Sequence, residues 1–294
     1  MRLSPALQRW LVTLAVVGGL LALLLLAPRT PWQWGRIWGA GGYASLLLAG
    51  LLTTAWISLA AMVLGLLLGF AGGRARLSRS PALQQVGTLY VEVVRSTPFL
   101  VQVLVAYYCI APALRDLLLD AGTPQAVARL LDQPALVGVL ALGLFCGAYV
   151  TEIVRAAVES VERGQVEAAL AQGMSHAQVL RLVLLPQAFR RMLPPLAGEL
   201  VSLVKDSSIL SVIAVAELSK RASEVQSATY LSFEVLLPVA VLDLGLTFPL
   251  SRLARRLEAR LREARPAATC GRRPRAQAAC GGGAWQRAVA CAAA

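Results

Sequence analysis

Charge is scarce in this chain. Only 15% of its 294 residues are Asp, Glu, Lys or Arg, against about 25% in ordinary soluble domains. Histidine occurs once, at His176, and lysine twice, at Lys205 and Lys220. Neither lysine follows a glycine, so no G-x-x-x-x-G-K-[ST] phosphate loop is present and the chain is not a P-loop ATPase. A single histidine on a polar stretch argues against His-rich metal sites and against a Ser-His-Asp triad. No catalytic and no metal-ligating residue is therefore expected. The five cysteines imply no disulfide framework. Cys109 and Cys146 lie in apolar blocks, and Cys270, Cys280 and Cys291 are spaced too widely for a zinc knuckle.

The abundant residues are apolar. Hydrophobic residues make up 57% of the chain, and the mean hydropathy is +0.65. They are gathered in uncharged blocks, one unbroken from Ile37 to Gly73, which excludes both a soluble globule and disorder. A spanning helix needs about 20 mostly apolar residues. Six spans are predicted, at Trp10–Ala27, Ser45–Phe70, Thr97–Leu114, Pro134–Ala156, Leu193–Ala216 and Phe233–Leu250. The first is read as a retained helix, because its apolar run exceeds that of a signal peptide. The expected fold is all-α, a polytopic membrane helix bundle.

Orientation follows from Lys and Arg in the loops. With the N-terminus inside, the inner segments hold twenty-one such residues and the outer segments six. The bundle is therefore N-in and C-in. The net charge of +12 reflects this asymmetry and a basic C-terminal segment beside an anionic leaflet. No nucleic-acid partner is implied. Trp32, Trp34 and Trp38 form an outer aromatic belt. Leu253, Leu257 and Leu261 recur every four residues among arginines, the mark of a helix entering the cytosol or lying on the leaflet. The segment 263–294 reads as a disordered tail.

The longest inner loop, residues 159–195, reads as two short helices. The first runs through Gln165–Gln172. Gly173 can take the left-handed conformation that ends it, and Ser175 with Gln178 forms a capping box for the second. Pro186 and Pro194 punctuate the remainder of the loop. Thr97-Pro98 reads as a kinked helix start with Thr97 as N-cap, preceded by an i,i+3 pair of Glu92 with Arg95. Intramembrane charges are functional candidates by default. Glu152, Glu199, Lys205, Asp206 and Asp243 qualify. Structural pairing is favoured for Glu199 and Asp243, and Glu152 can pair with Arg155. Adjacent Lys205 and Asp206 point different ways on a helix, or mark a break in it.

Four linked blocks carry a resemblance. Glu167-Ala168-Ala169, Gly173 and Val183-Leu184-Leu185-Pro186 resemble the EAA motif of permease subunits of ATP-binding-cassette (ABC) importers. Glu92 to Gln102, Gly147 to Arg155, and Lys205-Asp206-Ser207-Ser208 resemble segments of the polar amino-acid permeases of the histidine, glutamine and arginine uptake systems. The resemblance covers about residues 45–262. Residues 1–44, an extra span and external linker, and 263–294 lie outside it.

The resemblance implies a type I ABC importer transmembrane fold in a bacterial inner (cytoplasmic) membrane. It implies a transporter subunit, not an enzyme, that passes polar amino acids. Its partners would be P-loop ATPase subunits, an external solute-binding protein, a second permease subunit in a homo- or heterodimer, and the lipid bilayer. No cofactor is expected on this chain; ATP and Mg would sit on the ATPase. Glu167, Ala168, Ala169, Gly173 and Pro186 would couple to that ATPase. Gln102, Tyr107, Glu152, Lys205 and Asp206 are candidates for the substrate pathway. An ion-coupled carrier is the rival reading, but it has no use for an ATPase dock.

Overall fold

A computed structural model describes residues Ala15, Gly18, Gly19, 33–39 and 43–263, without the side chains of 257 and 260–263. The first predicted span lies almost wholly outside these residues. So do Trp32, residues 264–294 and the three tail cysteines.

Among the described residues every element is helical. A short α1 (Trp34–Trp38) leads into α2 (Tyr43–Leu77), followed by α3 (Pro81–Ser96) and α4 (Phe99–Asp120). A short helical link, Gln125–Ala128 then Arg129–Asp132, precedes α5 (Pro134–Glu159). Then come α6 (Arg163–Ala171), α7 (176–206), α8 (Leu218–Thr229) and α9 (Ser232–Glu263). Of these, α2, α4, α5 and α9 are long and apolar enough to cross a membrane. The predicted span at 193–216 is also helical, but its main stretch, Leu185–Asp206, carries five charged residues and is less apolar. It ends in a 3-10 segment, Ser207–Ile213, at the left-handed Ala214.

The centre of the fold is the pair α2 and α5. Without a hydrophobic drive between helices in lipid, close packing of small residues holds such pairs together. Gly65, Gly69 and Gly73 recur every fourth residue along α2. They face Cys146, Val150 and Val154 of α5, so a side chain at any of the three would collide with that helix. The fit is reciprocal: a Cβ at Gly147 would lie 2.9 Å from Cβ of Leu68. The Thr151 hydroxyl sits in the same seam and donates to the Gly147 carbonyl at 2.8 Å. The four-residue glycine spacing is visible in the sequence, but its partner helix is not.

A second, outer cluster joins α1, α2, α8 and α9 through Ile37, Leu47, Leu218, Val225 and Val235. Glu217, 1% exposed, starts α8 by accepting from the backbone N–H groups of Ser219 and Lys220 at 2.8 and 2.6 Å. The acidic cap before that helix is a feature the sequence reading lacks. The Leu- and Arg-rich stretch after Leu250 continues the last span without interruption as far as Glu263.

Three local expectations need correction. Thr97 closes α3 instead of opening α4: its hydroxyl donates back to the Val93 carbonyl at 2.9 Å. Pro194 does not end a helix, because Pro194 and Pro195 lie inside α7. The second short helix of the inner loop is not separate. From His176 the chain stays helical through a π-turn at Val179–Leu184 into Leu185–Asp206.

Candidate functional site: a capped hairpin and two broken helices

The hairpin within residues 159–195 forms as its local sequence dictates. Helix α6 ends at Gln172, and Gly173 follows at φ +84°, in the left-handed region. Ser175 accepts from the Gln178 N–H, and the Gln178 side chain accepts from the Ser175 N–H at 2.8 Å. This is the predicted capping box. Val166 and Ala169 turn inward to the core, while Glu167, Ala168, Gly173 and Pro186 are exposed. Ala169 therefore does not offer a docking surface as the EAA resemblance implied. Its small size serves α6's own packing, beside Glu167 and Ala168 on the open face.

Two polar contacts hold the hairpin to α7. The Gln187 amide donates to Gln165 at 2.7 Å. Arg191 donates to the Ser160 hydroxyl at 2.8 Å, and also to the Ser160 carbonyl.

The second region lies where α3 gives way to α4. Tyr90 of α3 donates to the Leu144 carbonyl at 2.6 Å, and Phe99 stacks on Phe145 at 4.6 Å. Both partners lie near the midpoint of α5, so the elbow at Thr97-Pro98 stands level with the middle of that helix, with Thr97 and Pro98 themselves exposed. Helices α3 and α4 thus form one broken span. Gln102 clamps the break: its amide nitrogen donates to the carbonyls of Val94 and Thr97 at 2.7 and 3.0 Å and to the Thr97 hydroxyl at 2.8 Å. Tyr107 lies within a π-turn, Ala106–Ile110, and meets Tyr108 edge to face.

Sequence spacing assigns Arg95 to the inner-loop charges and pairs it with Glu92. The structure places it elsewhere. Its guanidinium lies 4.9 Å over the Tyr149 ring of α5, and its field reaches Glu199 of α7. Glu199 in turn feels Asp206, two helical turns further on, and Asp206 feels Lys205. Glu199 and Lys205, six residues apart, do not share a face. The seven-residue spacing from Glu199 to Asp206 does put both carboxylates on one face, and the sequence reading overlooks it. Lys205 is exposed and Asp206 half-buried, and the α-helix ends between Asp206 and Ser207. The predicted break is there. The Ser208 hydroxyl donates to the Lys205 carbonyl at 2.7 Å.

Glu152 belongs to neither region. It forms ion pairs with Arg76 of α2 and Arg155 of its own helix, and Arg155 also pairs with Glu159. The predicted i,i+3 pair is present, with a further partner that sequence distance concealed.

Four helices among the described residues are long and apolar enough to cross a membrane, as in a multi-pass membrane protein. Residues 61–263 match the family of binding-protein-dependent transport system inner membrane components, and the chain belongs to that family. It is 36% identical over 230 residues to the glutamine transport system permease protein GlnP of Escherichia coli (strain K12), covering 78% of this chain and 98% of the relative. It is 31% identical over 216 residues to the arginine transport system permease protein ArtQ of Bacillus subtilis (strain 168), covering 74% and 92%. Among solved structures it is similar to an amino acid ABC transporter crystallised with histidines, at 33% identity and a TM-score of 0.64, over 76% of this chain and 98% of that one. The chain is thus a permease subunit of an ABC importer and not itself an enzyme.

Proposed function

We propose that this permease passes polar amino acids through a bacterial inner membrane. An external solute-binding protein delivers them, and a separate P-loop ATPase, holding ATP and Mg, drives the step. A second permease subunit completes the pathway, and residues 45–262 are the permease core. Relatives named for glutamine and arginine transport support the substrate class.

The observation that carries the reading is a pair of helix breaks that bear charge, the α3–α4 elbow with Arg95 beside it and the end of α7 with Glu199 and Asp206 on one face. A zwitterion needs opposite charges in one polar cavity, and broken helices supply free backbone groups to line it. Helix α7 links the second of these breaks to the hairpin. Its 31 residues rise about 46 Å at roughly 1.5 Å each, from the face of α6 to the carboxylates. Movement of a docked ATPase is thereby carried to the substrate groups.

The test is uptake into liposomes holding the permease, its ATPase and a binding protein. Lys205→Ala and Glu199→Gln should lower amino-acid-stimulated ATP hydrolysis more than basal hydrolysis. An equal loss of both would assign these residues to folding. Normal uptake by Gly173→Asp would remove the docking assignment.

A further inference from the structure

From the ion chain at the inner end of the α2–α5 seam, we infer that Glu152 and Arg155 are positioning residues that make α2 follow the docking hairpin. The inference rests on the importer reading. The charges run in one line, Arg76 on α2, then Glu152, Arg155 and Glu159 along α5. Arg155 Nε lies 3.2 Å from both oxygens of Glu152, so the carboxylate is held between two guanidiniums. One residue beyond Glu159 is Ser160, which Arg191 of α7 grips through its hydroxyl and carbonyl. The hairpin helix α6 begins at Arg163, and Gln165 ties it to Gln187. A series of polar contacts and short covalent steps therefore joins α2 to the start of α6 and to α7 at Gln187 and Arg191.

The chain is not needed to hold α2 against α5, since the glycine seam from Gly65 to Gly73 already does that. What it adds is a charged grip at the point where pull from the hairpin enters the bundle. The side chains are partly exposed, 18% for Arg76 and 27% for Glu152, so salt reaches them. The grip weakens as ionic strength rises, and the seam does not.

The experiment uses the full complex in liposomes and measures ATP hydrolysed per amino acid taken up, across ionic strengths. In the wild type the ratio should rise with salt. In Glu152→Gln it should start about fivefold higher, the population factor an ion pair of this exposure commands, and lose its salt dependence. Glu152→Asp should restore most of the coupling, which a purely steric role would not predict. If Glu152→Gln fails to insert, Arg76→Gln reads the same contact from α2. A wild-type ratio unchanged by salt, or a Glu152→Gln ratio equal to that of the wild type, overturns the inference. Absence of any binding-protein-dependent uptake in the wild type would instead overturn the importer reading.

Discussion

Helices α4 and α5 are both apolar enough to cross a membrane, yet they are built for opposite neighbours. In the most apolar stretch, 61% of α5 is buried inside the chain and 11% of α4. Hydropathy does not separate them, because lipid and protein interior are equally apolar. Side-chain size does. Helix α5 carries Gly138, Gly143 and Gly147 and presses close to α2, while α4 contains no glycine and leaves Leu100, Val101, Ile110 and Leu117 bare.

The largest way to break this contrast is to fill the seam. Gly69→Leu should separate α2 from α5 and remove the protease-resistant core, at a cost of about 4 kcal/mol or more, as severe overpacking does. A stable, transport-competent variant would show that the close approach is dispensable. Next in size is the elbow. Gln102→Ala leaves the Thr97 and Val94 carbonyls without their clamp and should cost about 0.5–1.5 kcal/mol, read as earlier thermal unfolding in detergent. An unshifted midpoint would mean that Thr97-Pro98 holds the break alone.

The two cysteines of these helices sharpen the comparison further. Cys109 on α4 is exposed and Cys146 on α5 is fully buried. A membrane-permeant maleimide should label Cys109 and spare Cys146, as located by peptide mass spectrometry. The smallest effect belongs to the bare face. Leu117→Ala should change stability by about 0.5 kcal/mol or less. A large loss there would mean that another protein surface covers α4.

Features set by near neighbours in the chain were legible before the fold was known. The capping box at Ser175 and Gln178, the turn at Gly173 and the Glu152–Arg155 pair each span four residues or fewer. Features set by tertiary contact were not. Arg95 finds Tyr149 across 54 positions, and Arg76 finds Glu152 across 76. Ala169 turns inward because α6 packs on the main core of the bundle. A third kind of failure was one of period. Along α7 as far as Leu196 the buried residues are Val179, Leu184, Ala188, Met192 and Leu196. The first step is five residues and the others four, because the π-turn inserts one residue. A template of constant 3.6 spacing loses the face at that step, which is why the hairpin and the long helix read as separate pieces.

The glycine seam has a consequence for how the molecule answers force. Gly65, Gly69 and Gly73 of α2 each receive one short side chain of α5, Cys146, Val150 or Val154, directly against the backbone, so there are few rotamers to turn and no gap to close. Such a contact has almost no compliance. The pair α2 and α5 therefore acts as a fixed frame, and the shape changes of a transport cycle fall on the elements that keep full-sized side chains at their borders.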